Sequence, residues 1–416
     1  MFMVDISVAK GFIYIIFIIV YLGMVAGRLP RLALDRTGIV LLGAITLFVG
    51  VEKLGMASLL DIDSSTILLL FGFMVISAQF RQSGFYTLVT QFAASLPLSP
   101  LQFLALVIIL SATLSSLLSN DIVCLAMTPI LGQGCVKKKL YPLPFLLALA
   151  CSSNIGSALT LIGNPQNMLI GQQLHLSFSR YFLFSLVPVT LSLIALWAII
   201  AYIFRNNWHY CHVEKMPTMP EIPFDLWQTA KGMGVLAGVV SLFLFSPFPR
   251  DMIAIGAAGI LLISRTMTSQ KMLALIDWQL ILLFIGLFIV NGAFARAGGL
   301  TSIESILHVM GISIGEDFWL FTITVVLSNL VSNVPATMLL LPMVQGALAG
   351  PILALSSTFA GNLIVVGSIA NIIVVNGARN LGLFISWKEH ARVGIPVTLA
   401  SLLICWIWIK IGGWLW

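Results

Sequence analysis

Leu114-Ser115-Ser116-Leu117-Leu118-Ser119-Asn120-Asp121, followed by Pro129, decides how this chain is read, because the chain contains it twice. The second copy is Leu327-Ser328-Asn329-Leu330-Val331-Ser332-Asn333-Val334, followed by Pro342. Leu, Ser, Leu, Ser-Asn and Pro recur at a constant offset of 213 residues in a chain of 416. Both copies place polar residues in the middle of long apolar runs. Hydrophobic residues make up 59% of the sequence and charged ones 9%, with a mean hydropathy of +1.07. A soluble domain carries about 25% charged residues. The apolar blocks run for 16 to 25 residues, long enough to cross a ~30 Å hydrocarbon layer. The reading is an all-α polytopic membrane protein.

Composition also excludes several classes. The net charge of +6 is spread over loops, so it speaks to topology and not to nucleic acid. Cys124, Cys135, Cys151, Cys211 and Cys405 form no CxxC pair, which argues against a disulfide framework. The first apolar run, 11–27, is followed by Arg28, Arg31 and Arg36 and by no small-residue cleavage site, so it reads as an uncleaved helix.

The candidate membrane helices are 11–27, 37–52, 64–80, 182–204, 231–247, 250–264, 278–295 and 391–412. Composite regions lie at 101–135, 143–174, 317–346 and 352–376, and short interfacial helices at 84–96 and 299–309. The polar stretch 205–228 is the natural midpoint. The chain divides into a first repeat 1–204, a cytoplasmic linker 205–230 and a second repeat 231–416. The repeat reaches past the opening motif. Phe71-Gly72-Phe73 through Gly84 aligns with Ile285-Gly286-Leu287 through Gly298 at offset 214. Asn154…Gly163-Asn164-Pro165-Gln166-Asn167 is echoed, with a four-residue gap, by Asn362…Gly367-Ser368-Ile369-Ala370-Asn371.

Arm lengths and charges set the topology. The arm after Asp121 extends to about Cys135, which is ~21 Å and short of a crossing. Lys and Arg concentrate on the cytoplasmic side. With 101–135 and 317–346 drawn as re-entrant hairpins and Arg28 inside, 15 of the 21 Lys and Arg face the cytoplasm; drawn as single crossings they split 10 to 11. The hairpin arrangement gives five crossings per half, and an odd number inserts the second half upside down. The expected fold is two inverted repeats, each of five transmembrane helices plus one re-entrant hairpin, with discontinuous helices at the midplane. Both termini then lie on the outer side.

A helix broken inside hydrocarbon leaves about four N–H and four C=O groups unpaired at each break. Each costs several kcal/mol if it faces lipid, so a break persists where it faces protein, water or a ligand. Ser119-Asn120 and Ser332-Asn333 at two opposed tips supply short oxygen ligands. The competing reading, caps or interhelical hydrogen bonds, is weakened by the symmetric repetition. The run Ser152-Ser153-Asn154-Ile155-Gly156-Ser157-Ala158-Leu159-Thr160-Leu161-Ile162-Gly163-Asn164-Pro165 is one that no continuous helix would choose. It reads as two half-helices joined by an unwound linker, and Gly361-Asn362…Gly367-Ser368…Asn371 is its milder counterpart. Half-helix N-termini favour anions, and unwound carbonyls favour Na⁺ or H⁺. The candidate ion- and substrate-binding residues are Ser119, Asn120, Asp121, Ser153, Asn154, Thr160, Gly163, Asn164 and Asn167 in the first half. In the second they are Ser332, Asn333, Gly361, Asn362, Gly367, Ser368 and Asn371. Asp121 is the carboxylate inside a hairpin, and an intramembrane acid is a functional hypothesis by default. An N-cap role for an arm starting at Ile122 is compatible with it.

These paired motifs resemble the ion transporter superfamily. The chain is most similar to the arsenite permease and citrate-transporter-like anion permease branch, related to the divalent anion:sodium symporters. Tyr21-Leu22-Gly23…Gly27-Arg28-Leu29-Pro30…Leu34-Asp35-Arg36-Thr37-Gly38 looks like bacterial anion permeases. The resemblance implies a scaffold, a mobile part carrying both hairpins and both broken helices, elevator-type alternating access and a homodimer. The symporters usually have Thr after Ser-Asn; here Asp121 and Val334 stand there.

The expected function is a secondary active transporter moving a small anionic solute across a bacterial-type inner membrane, coupled to H⁺ or Na⁺. The alternative is a cation/proton antiporter that uses Asp121 as the exchanging carboxylate. The expected partners are a small-molecule or ion substrate, the lipid bilayer and a second copy of the chain. No cofactor is expected beyond Na⁺ as a candidate coupling ion. No Gly-x4-Gly-Lys motif is present, and the five His, at 175, 209, 212, 308 and 390, lie in loops or near helix ends, so enzyme chemistry is not expected. His209-Tyr210-Cys211-His212 reads as a solvated loop, Lys137-Lys138-Lys139 as a topology determinant, Arg81 and Arg296 as snorkelling residues, and the tryptophans at 406–416 as an interfacial belt.

Overall fold

The helix starts carry short polar caps, and the two halves use the same ones. Asp63 and Asp277 accept from Ser65 N and Leu280 N; Ser177 and Ser386 accept from Arg180 N and Glu389 N. Gly84 and Gly298 adopt left-handed φ of 74° and 84° and begin two short helices of 11 residues each, a conformation glycine adopts without steric cost.

The computed structural model describes residues 6–27, 34–50, 59–209, 223–413 and 416. Arg28, Leu29, Pro30, Arg31 and residues 210–222 of the expected linker, with Cys211 and His212, lie outside them. The first half runs α1 (Ile6–Ala26), α2 (Arg36–Gly50), α3 (Ser64–Gln82), α4 (Phe85–Ser95), α5 (Pro100–Leu117), α6 (Asn120–Lys137), α7 (Pro142–Ser157), α8 (Pro165–Gln173) and α9 (Phe178–Ile203). The second runs α10 (Leu226–Phe245), α11 (Arg250–Leu262), the short α12 (Ser269–Leu273), α13 (Trp278–Arg296), α14 (Gly299–Val309), α15 (Asp317–Val331), α16 (Asn333–Leu340), α17 (Ala349–Ala360), α18 (Ile369–Asn380) and α19 (Trp387–Gly412). Helix α10, capped by Asp225, starts inside the stretch read as linker. No strand occurs among the described residues; Leu140 and His209 form one isolated bridge.

Apart from α12, the second half repeats the helix order of the first. Seven helices among the described residues, α1, α3, α5, α9, α10, α13 and α19, are long and apolar enough to cross a membrane. The chain is a multi-pass membrane protein. The halves interlock: α2 packs on α13, and α11 on α3. Two glycines admit these approaches, since a Cβ on Gly72 would lie 2.7 Å from the Ala254 backbone and one on Gly286 2.8 Å from Val40. Helices α9 and α19, 26 residues each, pack against one another.

Several polar residues at the helix ends are structural. Lys138 Nζ donates to Leu96 O and lies 5.4 Å from the Phe103 ring centre. Arg296 pairs with Asp61, a stronger role than snorkelling. Trp408 Nε1 donates to Phe184 O at 2.8 Å, so this member of the expected belt is tied into the helix packing.

Candidate functional site

The two tips and the two breaks form one bonded cluster. The regions 143–174 and 352–376 are each split: α7 ends at Ser157 and α8 begins at Pro165, while α17 ends at Ala360 and α18 begins at Ile369. Helix α6 starts at Asn120 with Ser119 as its N-cap, so Asp121 lies in the first turn and is not the cap. Asn120 N donates to Gly163 O at 3.3 Å, which fixes the start of α6 on the first break.

Asn154 is the hub. Its Oδ1 accepts from Asn120 Nδ2 (3.2 Å) and Ser368 Oγ (2.8 Å), and its Nδ2 donates to Asn362 Oδ1 (2.8 Å) and Asn371 Oδ1 (3.2 Å). An amide offers two donors and two acceptor positions, so Asn154 is saturated by four partners, three of them from the other half. Ser153 Oγ donates to Asn120 O at 3.2 Å, and Asn167 and Asn371 each turn Nδ2 back onto a carbonyl of their own break, Thr160 O at 3.0 Å and Gly361 O at 2.8 Å. Thr160 Oγ1 in turn donates to Ser116 O.

The halves exchange partners reciprocally. Asn164, the N-cap of α8, donates to Thr358 Oγ1 at 3.2 Å near the end of α17; Ser368, the N-cap of α18, donates to Asn154 near the end of α7. Residues 164 and 368 are 204 apart, and so are 154 and 358. Thr358 therefore occupies the place of Asn154, four positions before the Asn362 aligned with it by sequence. With its amide nitrogen turned toward acceptors, Asn333 donates to Ser357 O (3.1 Å) and Gly367 O (3.3 Å) and accepts from Gln166 Nε2. Gln166 also reaches Thr358 Oγ1 at 3.2 Å, so the second tip joins the same network. Asn120 and Asn333 share no direct bond; they are linked through the breaks.

The cluster is neutral, and acceptors remain free in and beside it. The amide oxygens of Asn120, Asn167 and Asn329 are buried without a partner. Asp121 is half-buried, with no hydrogen bond or ion pair among the described residues. Ser332, at the second tip, has φ +80° and lines a cavity of about 660 Å³ with Arg36, Asp277, Pro335 and Asn376. A second cavity of about 340 Å³, lined by Asp61, Asn291, Met338 and Pro342, lies farther along α13 and α16. Between the two, Tyr21 OH donates to Asn291 Oδ1 at 2.9 Å and lies 3.4 Å from Pro335 O. No group of three or more His, Cys, Asp or Glu that could hold a metal occurs among the described residues.

Sequence reasoning missed Thr358, Gln166, Tyr181 and His390. Thr and Tyr are ordinary in apolar helices, Gln166 and His390 stand close to helix starts, and only the tertiary pairing shows all four at the site. His390, placed by sequence near a helix end, is buried and meets Asn362 O at 3.1 Å.

Comparison with known proteins agrees with this architecture. The chain is 28% identical over 375 residues to an uncharacterised transporter of Mycobacterium tuberculosis, covering 84% of this chain and 86% of that one. It is 25% identical to the silicon efflux transporter of Oryza sativa subsp. japonica, covering 89% and 91%. The crystal structure of the Alcanivorax borkumensis YdaH transporter, described as having an unusual topology, superposes with a TM-score of 0.58 over 98% of both chains at 13% identity. The citrate transporter family model matches residues 12–352, and the chain belongs to that family of membrane transporters.

Proposed function

We propose that this chain is a secondary active transporter that moves a small anionic solute across a bacterial-type inner membrane, coupled to H⁺ or Na⁺, by elevator-type alternating access. The observation that carries the reading is the Asn154 hub, where the broken ends of α7, α8, α17 and α18 meet through side chains from both halves. The helix N-termini at Asn164 and Ser368 point partial positive charge at an anion. The unpartnered oxygens of Asn120, Asn167 and Asn329 are the acceptors left for a cation. On this reading the halves are inverted repeats, and the Ser332 cavity opens on the Arg36 side, which the charge count makes cytoplasmic. A homodimer is the assembly we favour.

A second reading rests on Asp121, which stands in the first turn of α6 with no bond to satisfy it. In a cation/proton antiporter it would be the exchanging carboxylate. Both readings are tested with purified protein in liposomes, offering arsenite, sulfate, phosphate, citrate and succinate under imposed Na⁺ and pH gradients. Gradient-dependent flux of an anion is expected. Cation flux without anion flux favours the antiporter, and flux that ignores both gradients overturns coupling.

A further inference from the structure

Helices α2 and α11 both begin with arginine, Arg36 and Arg250, 214 residues apart. That offset also relates Gly72 to Gly286 and Asp63 to Asp277. Each lines a cavity, of about 660 Å³ at Arg36 and about 510 Å³ at Arg250, but their bonding differs. Arg250 holds the end of α8: Nη1 donates to Gly171 O at 3.4 Å and Nη2 to Leu176 O. Gly171 O also accepts from Leu176 N, so Arg250 grips the turn that closes α8, where helix-end carbonyls carry partial negative charge and the guanidinium fork suits two neighbouring acceptors. Arg36 lines the 660 Å³ cavity together with Val375 and Asn376, midway along the counterpart helix α18. Among the described residues Arg36 makes no hydrogen bond or ion pair.

We propose that Arg36 and Arg250 are alternating clasps on the ends of α18 and α8, which rests on the alternating-access reading above. In the state seen here Arg250 is engaged and the cavity at Arg36 is open. Movement that closes this cavity brings the end of α18 onto Arg36 and lifts the end of α8 from Arg250. One set of charge-assisted bonds replaces another of the same kind. The exchange keeps two states close in free energy, which a reversible two-state element requires.

The test needs no transported solute. In a Cys211→Ser background in liposomes, a cysteine at Ile372, which lines the open cavity, and one at Gln172, beside Arg250, report access to a membrane-impermeant maleimide. Arg250→Ala is expected to slow labelling of Ile372→Cys and to speed labelling of Gln172→Cys, so that the ratio of the two rates falls about fivefold, an effect of the size of one lost hydrogen bond. Arg36→Ala is expected to do the reverse, and the double variant to return toward the starting values. Arg250→Gln should show the same signs with smaller size, which covers the case where the alanine variant does not fold. Changes of the same direction in both arginine variants, or none in either, overturn the clasp. Solute flux under gradients measured on the same vesicles judges the transporter reading separately.

Discussion

Tyr181 and His390 stand four residues past the N-cap serines of α9 and α19, and each meets a carbonyl of the break in its own half. Tyr181 OH donates to Ala158 O at 2.9 Å, and His390 Nε2 lies 3.1 Å from Asn362 O. Ala158 and Asn362 are again 204 apart. Gly394 lets α19 come this close, because a Cβ there would lie 2.4 Å from Asn362 O. Tyr181→Phe should loosen the first break and His390→Ala the second, each by about 1 kcal/mol. Amide hydrogen exchange over 158–164 and 361–368 checks this; faster exchange confined to the break of the altered half is the expected result, and His390→Gln should restore protection.

Asn154→Ala should be the most damaging single change at the site. It leaves Asn120, Asn362, Asn371 and Ser368 each short of a partner in a buried setting. An unsatisfied buried polar group costs about 1–3 kcal/mol, so a total loss of roughly 3 kcal/mol or more is expected. Thermal unfolding in detergent reads the stability and liposome flux reads the function; both should fall together.

Asp121→Asn should separate the two readouts. Asp121 contributes no hydrogen bond or ion pair to the fold, and Asn keeps its shape without a charge to desolvate, so the change removes no stabilising contact. Stability should hold while gradient-driven flux is lost or loses its dependence on pH. Unchanged flux with an unchanged pH profile would remove Asp121 from the coupling mechanism.

Ser332→Gly should split them the other way. Ser332 sits at φ 80° and ψ 161°, a region that costs a non-glycine residue about 1–3 kcal/mol. Relief of that strain should raise the unfolding temperature, while loss of the tip hydroxyl lowers flux. A fall in stability would show that the hydroxyl is needed to hold the tip.

Much of the architecture was readable from residue types. The Gly, Pro, Ser and Asn content of 151–165 marks the first break, because those residues report local backbone geometry. What stayed hidden depends on partners far along the chain. Nothing in the sequence marks Thr358 as the counterpart of Asn154, since a Thr in an apolar helix is ordinary until Asn164 is seen to donate to it. Arg296 read as a snorkelling residue because its partner Asp61 lies 235 positions away. His390 looked peripheral because its place at a helix start does not show the break packed beneath it.

The saturation of Asn154 also has a consequence for how the chain is made. Asn371, one of its partners, is 217 residues further on. At ribosomal speeds of about 5–20 residues per second, that partner arrives roughly 10 to 40 s later. Through that interval the first half holds a polar hub that has one of its four partners, Asn120, and lacks the three from the second half. The newborn first half must be kept wet or sheltered at the insertion machinery until the chain is nearly complete, so membrane integration and final folding of this transporter are separate events in time.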